Sequence, residues 1–348
     1  MIWRTAPMNT TRASLRAIAL GALFAGVLSF AGGAAAQSTI ALTPNIKPLP
    51  AWNLSLVAGT DGSSTLRFAT TGWNAGTGPL QLEAGAVDTG SGKQQVYQRV
   101  FNSDGSSALF FAGWFQWHPA HSHFHFDDYA LYTLQPINAP GGSLRTGAKT
   151  TFCVMDTDKV DGSLPGAPTQ AVYSTCGSQV QGMSVGWGDT YGAHLAGQEI
   201  DFTDNADGIY QLKIGIDPKK VLVESNRNDN ESCVLLDITK PNTVRVLDGS
   251  GSCSTVVSIT PNSARMGETV QVTITGYGFA QGTTVSFENG NGPRPVASNV
   301  VLMVDTDGLD TLSATVTVPK KKQPGRDPVW DVRVGTGGLL PDAFRVTR

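Results

Sequence analysis

Charge is scarce in this chain. Twenty-five Lys and Arg against 28 Asp and Glu make up 15% of 348 residues, with a net charge of −3, where soluble domains usually carry about a quarter. That balance leaves no electrostatic footprint for nucleic acid, and the one basic run, Lys320-Lys321-Lys322, sits in a Pro- and Gly-flanked turn that reads as a solvated loop. Helix start and stop signals are few. Beyond the N-terminus no apolar run approaches the length of a membrane span. Only four cysteines are present, Cys153, Cys176, Cys233 and Cys253, and none forms a CxxC pair, which excludes a zinc ribbon. A Rossmann glycine fingerprint, a Walker lysine loop and a nucleophile elbow are all missing. What remains is glycine-rich, with 40 residues, and written in short alternating segments, the texture of an all-β protein.

At the N-terminus Arg4, Arg12 and Arg16 precede the apolar stretch Ala17 to Phe30, followed by Gly32-Gly33-Ala34-Ala35-Ala36-Gln37. This predicts a secretory signal peptide over residues 1–36, cleaved after Ala36; translation from Met8 would preserve it. The mature chain is therefore expected to be secreted or periplasmic, with no membrane span. Disulfides are permitted there. Proximity pairs the cysteines most simply as Cys153–Cys176 and Cys233–Cys253, one of three possible connectivities.

Two domains are expected. A larger one over 38–253 reads as all-β with long loops: Thr65–Thr70 is a short strand ending in the turn-rich Gly72–Gly78, and Asp128–Leu134, Gln198–Thr203 and Tyr210–Ile216 are further strands. The Gly-Ser-rich Asp248-Gly249-Ser250-Gly251-Ser252 marks its end. Over 255–348 the strands Val256–Thr260, Val270–Ile274, Val285–Phe287, Leu312–Val318 and Trp330–Val334 follow at short spacing, the pattern of an antiparallel sandwich.

Four of the five histidines fall within Trp117-His118-Pro119-Ala120-His121-Ser122-His123-Phe124-His125. On a strand His121, His123 and His125 project together, while Ser122, Phe124 and Phe126 turn to the core. Three imidazoles suit copper, zinc, iron or nickel and leave coordination positions open, which favours catalysis. A strand face of solvated histidines is the plainer alternative. His118 has the other parity and reads as a packing or hydrogen-bonding residue beside Trp117.

The block Trp117-His118 with His121-Ser122-His123-Phe124-His125 resembles the W-H-x-x-H-x-H-x-H copper segment of the lysyl oxidase family. Gly147–Thr157 resembles that family's lysine-bearing stretch and Asp189-Thr190-Tyr191-Gly192-Ala193 its tyrosine-bearing one, in the same order. Leu66-Arg67-Phe68 with Asn74–Thr77, and Glu224-Ser225-Asn226 with Asn230 and Cys233, extend the likeness. The last quarter resembles the IPT/TIG immunoglobulin-like family, which implies a fold and no chemistry.

The lysyl oxidase resemblance implies a β-sandwich catalytic domain, with copper on His121, His123 and His125. It also implies a lysine tyrosylquinone made from Lys149 and Tyr191, and a calcium site in the loop holding Glu224, Asn226, Asp229 and Asn230, although such a loop also makes an ordinary surface turn. The implied activity is oxidative deamination of primary amines or peptidyl lysine by dioxygen, yielding an aldehyde, hydrogen peroxide and ammonia. Departures from animal members include Ala120, Lys159, Trp187 and Gly197 where cysteines often stand, and Leu131 for a histidine. The proton acceptor is thereby left open, with Asp156 and His194 as candidates. A copper-binding adhesion protein without catalysis is the second reading, which retention of both Lys149 and Tyr191 disfavours. A zinc or iron hydrolase or dioxygenase lacks the usual carboxylate ligand.

Overall fold

In Gln94–Asn102 the alternation of the sequence becomes alternation of burial: Val96, Gln98 and Val100 face inward while Tyr97 and Arg99 stay partly exposed. The same rule builds the rest of the computed structural model, which describes residues 39–119, 122–303, 310–320 and 327–348. The expected signal peptide, His121 with its neighbour Ala120, and Lys321-Lys322 lie outside the described residues. Among those described there are strands and no helix, hence none long and apolar enough to cross a membrane.

Three sheets enclose the first hydrophobic cluster, which includes Phe68, Phe115, Phe126, Tyr132, Phe152, Phe202 and Tyr210. In one, Leu80–Val87, Gln94–Asn102, Ser107–His118 and His123–Phe126 form an antiparallel run. In the second, Ala130–Asn138, Gly208–Ile216 and Glu231–Thr239 pair in turn. The third is organised on Ser64–Asn74, which pairs with Trp187–Tyr191 and Glu199–Asp201 and also with Ile46–Pro48 and Trp52–Ala58. Each fully buried Phe contributes roughly 1.5–3 kcal/mol of transfer free energy.

Residues from Thr255 onward build two four-stranded sheets around a second cluster that includes Val272, Ile274, Phe287, Leu312, Trp330 and Phe344. Residues Thr39–Arg348 nevertheless form one compact unit. The contacts at the junction are specific. Arg333 reaches both Asp248 (3.1 Å) and Glu288 (2.9 Å), and Gln211 donates to the Cys253 carbonyl and to Thr255 Oγ1.

Three sequence expectations shift. Gly72, Trp73 and Asn74 belong to the Ser64–Asn74 strand, because pairing with Ile46–Pro48 and Trp187–Tyr191 satisfies their backbone groups on both edges. The Gly-Ser-rich segment is largely strand, Thr243–Gly251, held against Glu231–Thr239. The histidine segment is two paired strands: Ser107–His118 is followed by His123–Phe126, with His118 opposite His123 and, before the second strand, Ser122 exposed at a φ of 54° with its N–H on the His118 carbonyl at 2.9 Å. Pro119 cannot donate to a ladder, so the strand ends there.

Both proximity pairs of cysteines are joined, Cys153–Cys176 and Cys233–Cys253. The first closes a loop with a sequence separation of 23. Replacing both of its cysteines by Ser should lower the unfolding free energy by roughly 3 kcal/mol in urea titrations; an unchanged midpoint and slope would contradict that.

Candidate active site

The histidine strands, the lysine segment and the tyrosine strand meet at one place. Phe126 and Phe152 exchange backbone hydrogen bonds of 2.7 and 3.1 Å, which lays the 147–153 segment along the histidine strand. Thr151 Oγ1 then lies 3.1 Å from His125 Nδ1, and the other nitrogen of His125, Nε2, stands 2.9 Å from His123 Nε2. His125 is buried and His123 half-buried. His118 pairs directly across from His123, and cross-strand partners share a face. Its ring stacks on His125, centroids 4.5 Å apart. The parity argument fails for His118 because it holds only within a single strand. Among the described residues, which do not include His121, no three His, Cys, Asp or Glu side chains gather as a metal cage.

Trp187–Tyr191 hangs on Ser64–Asn74 with Tyr191 opposite Thr70 and Asp189 opposite Gly72. Two residues apart on one strand, Asp189 and Tyr191 share a face. The Tyr191 hydroxyl donates to the Cys153 carbonyl at 2.6 Å, and its ring meets Phe152 edge-on at 4.9 Å. Lys149 reaches both rings, its Nζ 4.5 Å from the Tyr191 ring centroid and 4.6 Å from that of Phe152. Gly197 makes room for it: a Cβ there would stand 2.4 Å from Lys149 Cδ and 2.6 Å from its Cβ, and φ is +83°. Arg67 secures the intervening loop by donating to the carbonyls of Ala193 (2.7 Å) and Leu195 (2.9 Å).

These groups open on a cavity of about 400 Å³ lined by His123, His125, Lys149, Asp189 and Tyr191, with Met155 and Leu195 among its apolar walls. Burial dominates its electrostatics. It lowers Lys149 from the usual ammonium range against the opposing pull of Asp189 and Glu199. It also pushes Asp189 and Tyr191 well above their ordinary values. Amine and acid are both driven toward neutrality.

The two sequence candidates for proton acceptor lie elsewhere. Asp156 accepts hydrogen bonds from Val172 N, Tyr173 N, Ser184 N and Ser184 Oγ at 2.7–3.1 Å, a structural knot. His194 is exposed. The sequence reading missed Asp189, although its alternation with Tyr191 was visible in Asp189-Thr190-Tyr191.

The acidic loop forms a separate cluster. Glu224 accepts from Ile46 N (2.8 Å) and Asn230 Nδ2 (2.7 Å), and burial raises it to about 7. Gln98 holds the loop by hydrogen bonds to both backbone groups of Val223. Buried oxygens of Asn45, Asp229 and Asn230 have no hydrogen-bond partner among the described residues. Asn226 is exposed and bonded to Asn228 N, apart from this set. Asn45, 184 positions from Asp229 yet 3.1 Å away, carried no sequence signal.

Residues 99–246, under half of the chain, match the family described as Lysyl oxidase. Lysyl oxidase homolog 1 from Homo sapiens is 35% identical over 116 residues, which is 33% of this chain and 19% of that protein. Protein-lysine 6-oxidase from Homo sapiens is 34% identical over 116 residues, 26% of its length. The same-named protein from Sus scrofa is 32% identical over 43% of its length. The chain thus spans well under two thirds of these curated relatives.

Gly197→Ala should cost about 1–2 kcal/mol from its backbone conformation alone and displace the Lys149 stem. Thermal melting, together with acylation of the Lys149 amine read by peptide mass spectrometry, would show lower stability and a more reactive amine; an unchanged pair of readings would count against the steric account.

Proposed function

We propose that this chain is a secreted, copper-dependent amine oxidase of the lysyl oxidase kind, deaminating primary amines or peptidyl lysine to aldehydes. The observation that carries this reading is the approach of the Lys149 amine to the Tyr191 ring, 4.5 Å to its centroid, in a cavity shared with His123 and His125. The family match over 99–246 supports it.

Copper would be held by His121, His123 and His125. Imidazole nitrogens suit the ion, and two of the three already face each other at 2.9 Å, with Thr151 fixing the ring of His125 from behind. Copper and dioxygen would supply oxidation of the Tyr191 ring to a quinone, to which Lys149 adds, and which then accepts two electrons from the substrate amine. The remaining tasks fall to the chain. The Cys153 carbonyl and the Phe152 edge fix the Tyr191 ring. Burial lowers the pKa of Lys149, favouring the neutral amine, the only form that can add to a ring. Met155 and Leu195 give the entering amine an apolar wall.

A calcium ion fits the second cluster, since oxygen donors suit it and buried carbonyl and carboxylate oxygens there lack partners. Glu224, Asp229, Asn230 and Asn45 would hold it. Asn226 is the member of the expected set that the geometry supports least. Residues 255–348 are read as an immunoglobulin-like sandwich, which the two sheets around one hydrophobic cluster support. Residues 1–36 are read as its secretory signal.

After copper loading in air, the mature protein should develop a visible quinone absorbance that reacts with phenylhydrazine, and peptide mapping should find Lys149 joined to Tyr191. Tyr191→Phe should abolish the colour, and Lys149→Ala the native cofactor, while copper still binds to both. A colourless copper-loaded protein that releases no hydrogen peroxide from amines would favour the adhesion reading. Calcium should raise the melting temperature of the wild type but not of Asp229→Ala; equal shifts would remove the calcium assignment.

A further inference from the structure

We propose that Asp189 is the proton acceptor of this site, the group that takes the α-proton of a primary amine bound at the Tyr191 ring. The assignment rests on the amine-oxidase reading and adds to it the residue that the sequence left open.

Position is the first argument. Asp189 lies two residues from Tyr191 on the Trp187–Tyr191 strand, so both side chains leave the same face, and both line the cavity that Lys149 enters. Its hydrogen bonding is the second. Only 3% of the residue is exposed, yet Oδ2 has no hydrogen-bond partner among the described residues, and the main-chain donor facing the carboxylate is Met155 N–H. Buried polar atoms are nearly always satisfied, and leaving one bare costs about 1–3 kcal/mol. Asp156, a few residues from Cys153, shows how this fold treats a structural carboxylate: four donors surround it. Asp189, by contrast, lines the cavity with one carboxylate oxygen left without a hydrogen-bond partner among the described residues.

The step balances. With the substrate nitrogen joined to a quinone carbon, the α-C–H bond would break, the proton would pass to Asp189 Oδ2, and the C–H electron pair would reduce the cofactor by two electrons. Water would then release the aldehyde and leave the nitrogen on the reduced cofactor; oxidation by dioxygen, which leaves as hydrogen peroxide, and a second water that releases ammonia would restore the quinone.

Lys149, Asp156, Asp158, Tyr129, Tyr132 and Tyr191 are the titratable groups that face Asp189. Burial raises its carboxyl above the ordinary range, and the opposing pull of the Lys149 ammonium ends once that amine is joined to the ring. Since only the carboxylate accepts a proton, kcat/KM should climb as pH rises through that raised value, an acid limb belonging to Asp189.

The test compares copper-loaded, air-matured wild type with Asp189→Asn, a near-isostere of the neutral acid. Phenylhydrazine has no α-C–H and reports the quinone without needing a proton acceptor. The variant should form the adduct fully, yet be reduced by benzylamine under anaerobic conditions roughly 10²- to 10⁴-fold more slowly, with a larger effect of α-dideuteration and no acid limb. Full adduct with wild-type rate, isotope effect and limb would overturn the assignment while leaving the amine-oxidase reading intact. No adduct in the wild type would overturn both. Where Asn at 189 prevents the adduct, Asp189→Glu decides: an adduct with a displaced limb supports the assignment, and one with the wild-type limb overturns it. Adduct in wild type but in neither variant would place the carboxylate in cofactor assembly and remove it from turnover.

Discussion

Two backbone hydrogen bonds between Phe126 and Phe152 hold this site together. They are not part of a long ladder; the pair is an isolated bridge between the histidine strands and a segment that is otherwise loop. Together with the Gly147 N–H on the Tyr132 carbonyl at 2.9 Å, the bridge places what the site needs from that segment. Thr151 comes to rest against His125, Cys153 offers its carbonyl to Tyr191, and Lys149 points back across the Phe152 ring. Because Phe126 and Phe152 are both in the core, the bridge is shielded from water, where a backbone hydrogen bond is harder to exchange for solvent. The cavity is therefore placed by main chain, and its side chains inherit their positions.

Within it, desolvation orders the chemistry. An ammonium and a carboxylate share a space that solvates neither well, and each is shifted toward its neutral form. Such a pair can pass a proton without creating net charge. The Tyr191 phenol, pushed upward as well, stays protonated and keeps its hydrogen bond to Cys153.

Local pattern made part of this legible. Alternation located the strands of both halves, because burial follows side-chain parity within one strand, and the order of His, Lys and Tyr segments named the chemical groups. Parity stopped at the turn. It could not place His118, whose neighbour His123 lies on a different strand, nor tell that Ser122 sits in a left-handed turn. Gly72–Asn74 looked like a turn since glycine and asparagine favour one, until two partner strands claimed their backbone groups. Asn45 and Gln98 were invisible for a plainer reason: each acts on residues more than a hundred positions away. Asp189 was within reach, being one alternation from Tyr191, but its missing hydrogen bond exists only in three dimensions.

The junction at Cys253 bears on modularity. Arg333, on the C-terminal side, divides its guanidinium between Asp248 and Glu288, and Gln211 reaches across to Thr255. Excising residues beyond 254 would strip Asp248 of its cation and leave the Gln211 amide with the Cys253 carbonyl but without Thr255, so the two halves cannot be exchanged like beads on a string. A designer grafting a different C-terminal module would have to rebuild that polar seam, and the natural partner for the first half is the second half it already has.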